Sequence, residues 1–249
     1  MIKHNRAIAH HINKSNKTMK TNTNRKRGFT LVELLVVIVI IASLAALSAP
    51  MIMGQIKKAN KAEAISNSKQ IGLALFEFDS DYGSYPDKDT AADVTLAFPN
   101  ADVKAPSAVS DSNSAFLQLF QAEIVKSEEI FFAKAAGAKK PDGDISSATT
   151  ALAKGECGFG YVMNVTDAYS TSGNASRIIL VTPLAEGSDS FDINPFGGLA
   201  VLYKIDNSAV AVKIRPASGA EQGPAIVAGG DFKAAKFWGS TTPTIVKPK

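Results

Sequence analysis

Apolar residues run almost unbroken from Phe29 to Met53, interrupted chiefly by Thr30, Glu33 and two serines. At 1.5 Å per residue this run gives a helix of roughly 37 Å, enough to cross a hydrocarbon layer with some tilt. After Gly54 the pattern changes to a helical period. Ile71, Leu75, Phe78 and Tyr82 fall at i, i+4, i+7 and i+11, and Ala62, Ile65, Ser68 and Gly72 form a stripe of smaller residues beside them. Such spacing predicts an amphipathic helix with one face to bury. It ends at "DYGSYPD", where Gly83 can cap the helix and Pro86 prevents continuation. Phe29 to Tyr82 therefore reads as one helix of roughly 80 Å. Pro50 removes a hydrogen bond inside it, and Gly54 weakens the following turn, so a kink or local opening is expected there.

From residue 84 onward the pattern is that of a soluble α+β domain. "DSNSAFLQLFQAEIV" (111–125) predicts a short helix with Asp111 or Ser112 as N-cap and Phe116, Leu119, Phe120 and Ile124 toward the core. "EEIFFAK" reads as a short strand, 141–150 as a turn-rich loop, and a few helical residues are expected around Ala151. Strands are predicted at 159–165, 177–184 and 199–205, with a hairpin partner at 209–215 and a loosely ordered tail after Lys236. The fold class is α+β: a long N-terminal helix, transmembrane in its first half and amphipathic in its second, packed on a small antiparallel sheet. The segments are 1–28, a basic leader; 29–54, the membrane half of the helix; 55–83, its amphipathic half; and 84–249, the domain.

Charge sharpens this picture. Eight of the 27 basic residues, and no acidic one, lie in residues 1–28, leaving 19 basic against 23 acidic residues and a net charge of −4 thereafter. The basic pI belongs to the leader, so the body loses the electrostatic footprint of a nucleic-acid-binding domain. Against those eight charges only Lys57, Lys58 and Lys61 stand just beyond the span, which puts the N-terminus in the cytoplasm. All three histidines (His4, His10, His11) are also in the leader. Its removal would leave no histidine for a Ser-His-Asp or Cys-His site or for a His-ligated zinc. One cysteine, Cys157, forms no intrachain disulfide and reads as a packed small residue.

No phosphate loop, dinucleotide fingerprint or metal-ligand spacing is present. The stretches "GDISSATT" and "AEGSDSFDIN" cluster oxygen ligands, and Asp189 and Asp192 are the candidates for a hard cation such as calcium. Asp/Ser surface loops without an ion are far commoner. "NVT" (164–166) and "NAS" (174–176) match the short glycosylation pattern, which also arises by chance. Cleavage by an ordinary signal peptidase near Ala45 or Ala49 competes with a retained span. The long basic region, the early carboxylate and the uninterrupted helical pattern count against it. Glu33 is the unexplained residue: an acidic side chain in a membrane helix is unfavourable, by roughly 2.5–3.5 kcal/mol at its centre and less near its edge.

A basic leader ending in Gly28, then Phe29, "TLVE" and about twenty apolar residues resembles the class III signal of type IV prepilins and type II secretion pseudopilins. "DYGSYP" is similar to a stretch found in many pseudopilins. The resemblance covers roughly residues 25–60. It implies cleavage between Gly28 and Phe29 by a membrane prepilin peptidase, and N-methylation of Phe29. Glu33 becomes the fifth residue, where pilins carry a carboxylate that pairs with a neighbouring subunit's α-amino group. Pro50 matches a helix-loosening proline of the family. The implied role is a non-enzymatic subunit of a pseudopilus or pilus-like filament in the bacterial inner membrane, single-pass, with a periplasmic domain and no cofactor. Its implied partners are the peptidase/N-methyltransferase, copies of itself, other pilin-like subunits, and the assembly platform and ATPase. The alternatives are a minor pilin that binds DNA or surfaces, and a membrane-tethered ligand-binding or hydrolytic domain.

Overall fold

The structure is a computed structural model, and it describes residues 28–164, 168–188, 190–214, 225–226, 230–231 and 243–249. The expected leader up to Arg27, Asp189, and residues 236–242 of the expected tail lie outside them. The chain divides into two units, Met1–Ser48 and Ala49–Lys249. Helix α1, Leu31–Tyr82, contributes its first part to one and the remainder to the other. In the first unit α1 is apolar on every side, and no part of its candidate span is buried within the chain.

In the second unit the buried face of α1 follows the helical repeat through Ala64, Ser68, Ile71, Leu75 and Phe78, with Gly72, Ala74 and Asp79 beside it. Ala62, expected on this face, is exposed, because the 3–4 residue step passes through position 64 instead. Gly72 has a specific reason to be glycine. A Cβ there would lie 1.8 Å from the Tyr203 hydroxyl, so only a bare backbone admits that ring. The helix ends as expected: Gly83 takes φ +81 and its N–H donates to the Asp79 carbonyl at 2.7 Å.

Tyr203 belongs to a five-stranded antiparallel sheet formed by β1 (Gly160–Asn164), β2 (Ile178–Thr182), β3 (Leu199–Lys204), β4 (Ala209–Lys213) and β7 (Pro243–Val246). The strand order is β4-β3-β2-β1-β7. Four strands agree with the alternation in the sequence, and β3–β4 is the expected hairpin. The fifth corrects the expectation of a loose tail. Pro243–Val246 pairs along β1 from Asn164 to Tyr161, and Ile245 and Val246 are buried. Two prolines nearby hid it, yet a proline at the first position of an edge strand costs no ladder bond. A separate two-stranded ribbon joins β5 (Ala225–Ile226) to β6 (Gly230–Asp231).

Helix α3 (Ser112–Gln121) starts on Asp111, whose carboxylate accepts from Ser114 N at 2.8 Å. All ten of its residues are buried, and Phe116 stacks among Phe131 at 5.0 Å and Tyr161 at 5.7 Å. Helix α2 (Lys88–Ala97) has no counterpart in the sequence reading, since it buries only Thr90, Ala91 and Val94. Its start is fixed by a capping box between Asp87 and Thr90. Buried Gln118 of α3 holds it, accepting from Thr90 Oγ1 at 2.8 Å and donating to the Asp87 carbonyl at 2.7 Å. "EEIFFAK" is not a strand but a 3-10 turn, Glu129–Phe131. Its backbone is claimed from α1: Asn67 Nδ2 donates to the carbonyls of Glu129 and Phe132. Around Ala151 there is a hydrogen-bonded turn rather than a helix.

Candidate processing and assembly site

The start of α1 is held by two residues that exchange three hydrogen bonds. Glu33 Oε2 accepts from Thr30 N at 2.9 Å and from Thr30 Oγ1 at 2.7 Å. Thr30 Oγ1 accepts in turn from Glu33 N at 3.2 Å. With Leu31 as the first helical residue, this is a capping box, Thr at the N-cap and Glu three residues on. It moves the helix start from the expected Phe29 to Leu31 and satisfies the N-cap and third-position N–H groups, which an apolar surrounding would otherwise leave unmet. The Thr-x-x-Glu spacing ahead of an apolar run was the signal for it. Glu33 Oε1 has no partner among the described residues. The carboxylate therefore fastens its own helix with one oxygen and presents the other.

Beyond the cap, Leu31–Ala49 is the one described helix segment long and apolar enough to cross a membrane, with a mean hydropathy of 2.8. Its nineteen residues rise about 28 Å, close to the hydrocarbon thickness. Ser43 Oγ donates to the Ile40 carbonyl at 2.8 Å and Ser48 Oγ to Leu44 at 3.1 Å, so its hydroxyls are satisfied within the helix. Gly28 and Phe29 precede the cap in exposed chain outside any helix or strand. The helical assignment continues through Pro50 and Gly54, and the boundary between the two units falls beside Pro50.

Of the calcium candidates, Asp189 lies outside the described residues and Asp192 is within them. Asp192 Oδ1 accepts from Asn194 N and Nδ2, both at 2.9 Å, and closes a turn. A different carboxylate group, missed in the sequence, gathers Glu128, Asp142 and Glu156, with ligand atoms within 4.8 Å of one another. Two of the three are buried. Glu128 Oε1 accepts from Leu152 N at 2.6 Å, its Oε2 from Gly143 N at 2.9 Å, and Glu156 Oε2 from Ala153 N at 2.7 Å. These bonds fasten the 141–156 loops to the 3-10 turn, and burial pushes the Glu128 carboxyl above the ordinary range. Cys157 is buried, and desolvation pushes its thiol up to about 12, so it is a poor nucleophile at neutral pH.

Residues 23–49 match the family described as the prokaryotic N-terminal methylation motif. The chain is 45% identical over 64 residues to type II secretion system core protein G of Escherichia coli, covering 26% of this chain and 44% of that protein. It is 36% identical over 81 residues to the Klebsiella pneumoniae protein of the same name, covering 32% and 58%. It is 35% identical over 79 residues to type IV major pilin protein PilE1 of Neisseria gonorrhoeae, covering 32% and 47%. The chain thus spans about half the length of the curated relatives it matches. No solved structure matches it significantly. Its amino-terminal segment is thus similar to that of type II secretion core protein G and of type IV pilins.

Proposed function

We propose that this chain is a structural subunit of a pseudopilus or related pilus-like filament, drawn from a membrane pool after cleavage between Gly28 and Phe29 and methylation of Phe29. The observation that supports this best is the first part of α1, Leu31–Ala49: apolar on all faces, none of it buried among the described residues, and opened by a capped carboxylate. A helix apolar all round requires lipid or other helices about it. In this reading it lies in lipid first, N-terminus in the cytoplasm, and then among copies of itself or other pilin-like subunits, delivered by an assembly platform and ATPase. Glu33 Oε1 then meets the α-amino group of a neighbouring Phe29. In a dry bundle such a pair favours one register, because either charge alone is heavily penalised.

The test separates charge from cap. Glu33→Gln keeps a good third-position partner for Thr30 without the charge, whereas Glu33→Val removes both. Both variants are expected to insert in the membrane and to be cleaved after Gly28. Filament yield, measured with the assembly machinery present and scored beside the cleaved fraction, is expected to fall partly in the Gln variant and to be lost in the Val variant. Wild-type filaments from a cleaved Glu33→Val protein would contradict the pairing.

A further inference from the structure

In the second unit, α2 turns outward a face that is exposed among the described residues. Asp89, Ala92, Asp93 and Leu96 lie at i, i+3, i+4 and i+7 and are all exposed. Leu96, at 81% exposure, is as open as any large apolar side chain of the molecule. Asp89 meets Lys88 at 2.8 Å, but both are well exposed, and such a pair holds little. An apolar side chain flanked by carboxylates along one helix face is the pattern of a helix that docks in a groove.

The same domain contains a groove of the opposite character. A cleft of about 550 Å3 is floored by small and apolar groups, among them Ala136, Leu184 and Pro248. Lys139, Lys154 and Lys249 rim it, all exposed, with Lys247 beside them and Glu186 as the one carboxylate side chain lining it. The domain is otherwise net acidic, so this concentration of lysine is local. No aromatic side chain lines the cleft to stack a base, and it contains no arginine fork for a phosphate.

We infer that the Asp89–Asp93–Leu96 face of α2 in one subunit docks into the lysine-rimmed cleft of a second copy. Leu96 enters the apolar floor, and the two carboxylates meet Lys139, Lys154 and Lys249. This rests on the filament reading and adds a contact between domains to the helix contact. The two surfaces are different patches of one chain, so the contact is heterologous. Repeated, it generates an open helical array rather than a closed dimer. The contact is small and forms once the α1 helices hold the copies at high local concentration.

Two differently tagged copies of the full-length chain are produced together with the assembly machinery, one with Ala97→Cys, beside Leu96, and the other with Ala138→Cys, at the cleft. The native Cys157, buried but lining the cleft, is replaced by serine in both copies. A short bismaleimide is expected to give a species bearing both tags. Lys139→Glu with Lys249→Glu in the second copy is expected to lower its yield about tenfold, and Asp89→Lys with Asp93→Lys in the first to restore it. A yield unmoved by charge reversal, in cells whose filaments form normally, removes this contact and leaves the filament reading in place. Absence of filaments from the wild-type chain removes both. Retention of labelled duplex DNA by the detergent-solubilised full-length protein, lost in the Lys139→Glu/Lys249→Glu variant, would give the cleft to nucleic acid and overturn the inference.

Discussion

Two residues of the soluble domain show how single side chains set its stability. Gly72 sits where any Cβ would overlap the ring of Tyr203. Gly72→Ala must push β3 off α1, and overpacking of this kind costs about 1–3 kcal/mol. Urea unfolding of the soluble domain is expected to show that loss, and a smaller one when Tyr203→Ala is already present, since the two residues share one contact. Glu128 acts through its charge. Its carboxyl is raised by burial, so the folded state holds its proton more tightly than the unfolded chain. Its contribution is fully present below the unfolded carboxylate range, about pH 4.3, and is lost as pH rises through the folded value. Stability measured relative to Glu128→Gln should therefore fall as pH is raised from about 4 toward neutrality. A difference that rises with pH would place the charged form as the better-held one.

At the scale of elements, the long helix is two structures in one assignment. Its first part has no partner within the chain, while its second buries Ile71, Leu75 and Phe78 in the domain. A fragment beginning near Gln55 is therefore expected to be a soluble, cooperatively unfolding monomer. Aggregation or the circular dichroism of an unfolded chain would show that the helix face is not satisfied by its own sheet. Legibility followed periodicity. The second part of α1, α3 and strands β1–β3 gather their apolar positions in helical repeats or short apolar runs, and those positions are buried. α2 and β7 do not. α2 buries three residues and is held by Gln118 and Asp87, and β7 is kept in place by pairing with β1. Such elements are made by tertiary partners far away in sequence, which a local pattern does not record. The segment read as a strand at Glu129 failed for a related reason: Asn67 of α1 takes the carbonyls of Glu129 and Phe132. At the candidate site, Glu33 was legible as an anomalous charge. Its bond to Thr30 was equally legible as a Thr-x-x-Glu spacing.

For the whole molecule, the distribution of charge and apolar surface follows one logic. The leader contains the positive charge, the span presents apolar surface on every side, and the domain is net acidic with one lysine-rimmed cleft. The central claim is that residue 29 becomes the working terminus of an assembling subunit. Intact-mass measurement of the protein sheared from cells that express it with its assembly machinery tests this most directly. The account predicts a chain beginning at Phe29, lighter by the leader and heavier by one methyl group, recovered in the sheared filament fraction. A chain beginning near residue 46 or 50, free in solution, would contradict it.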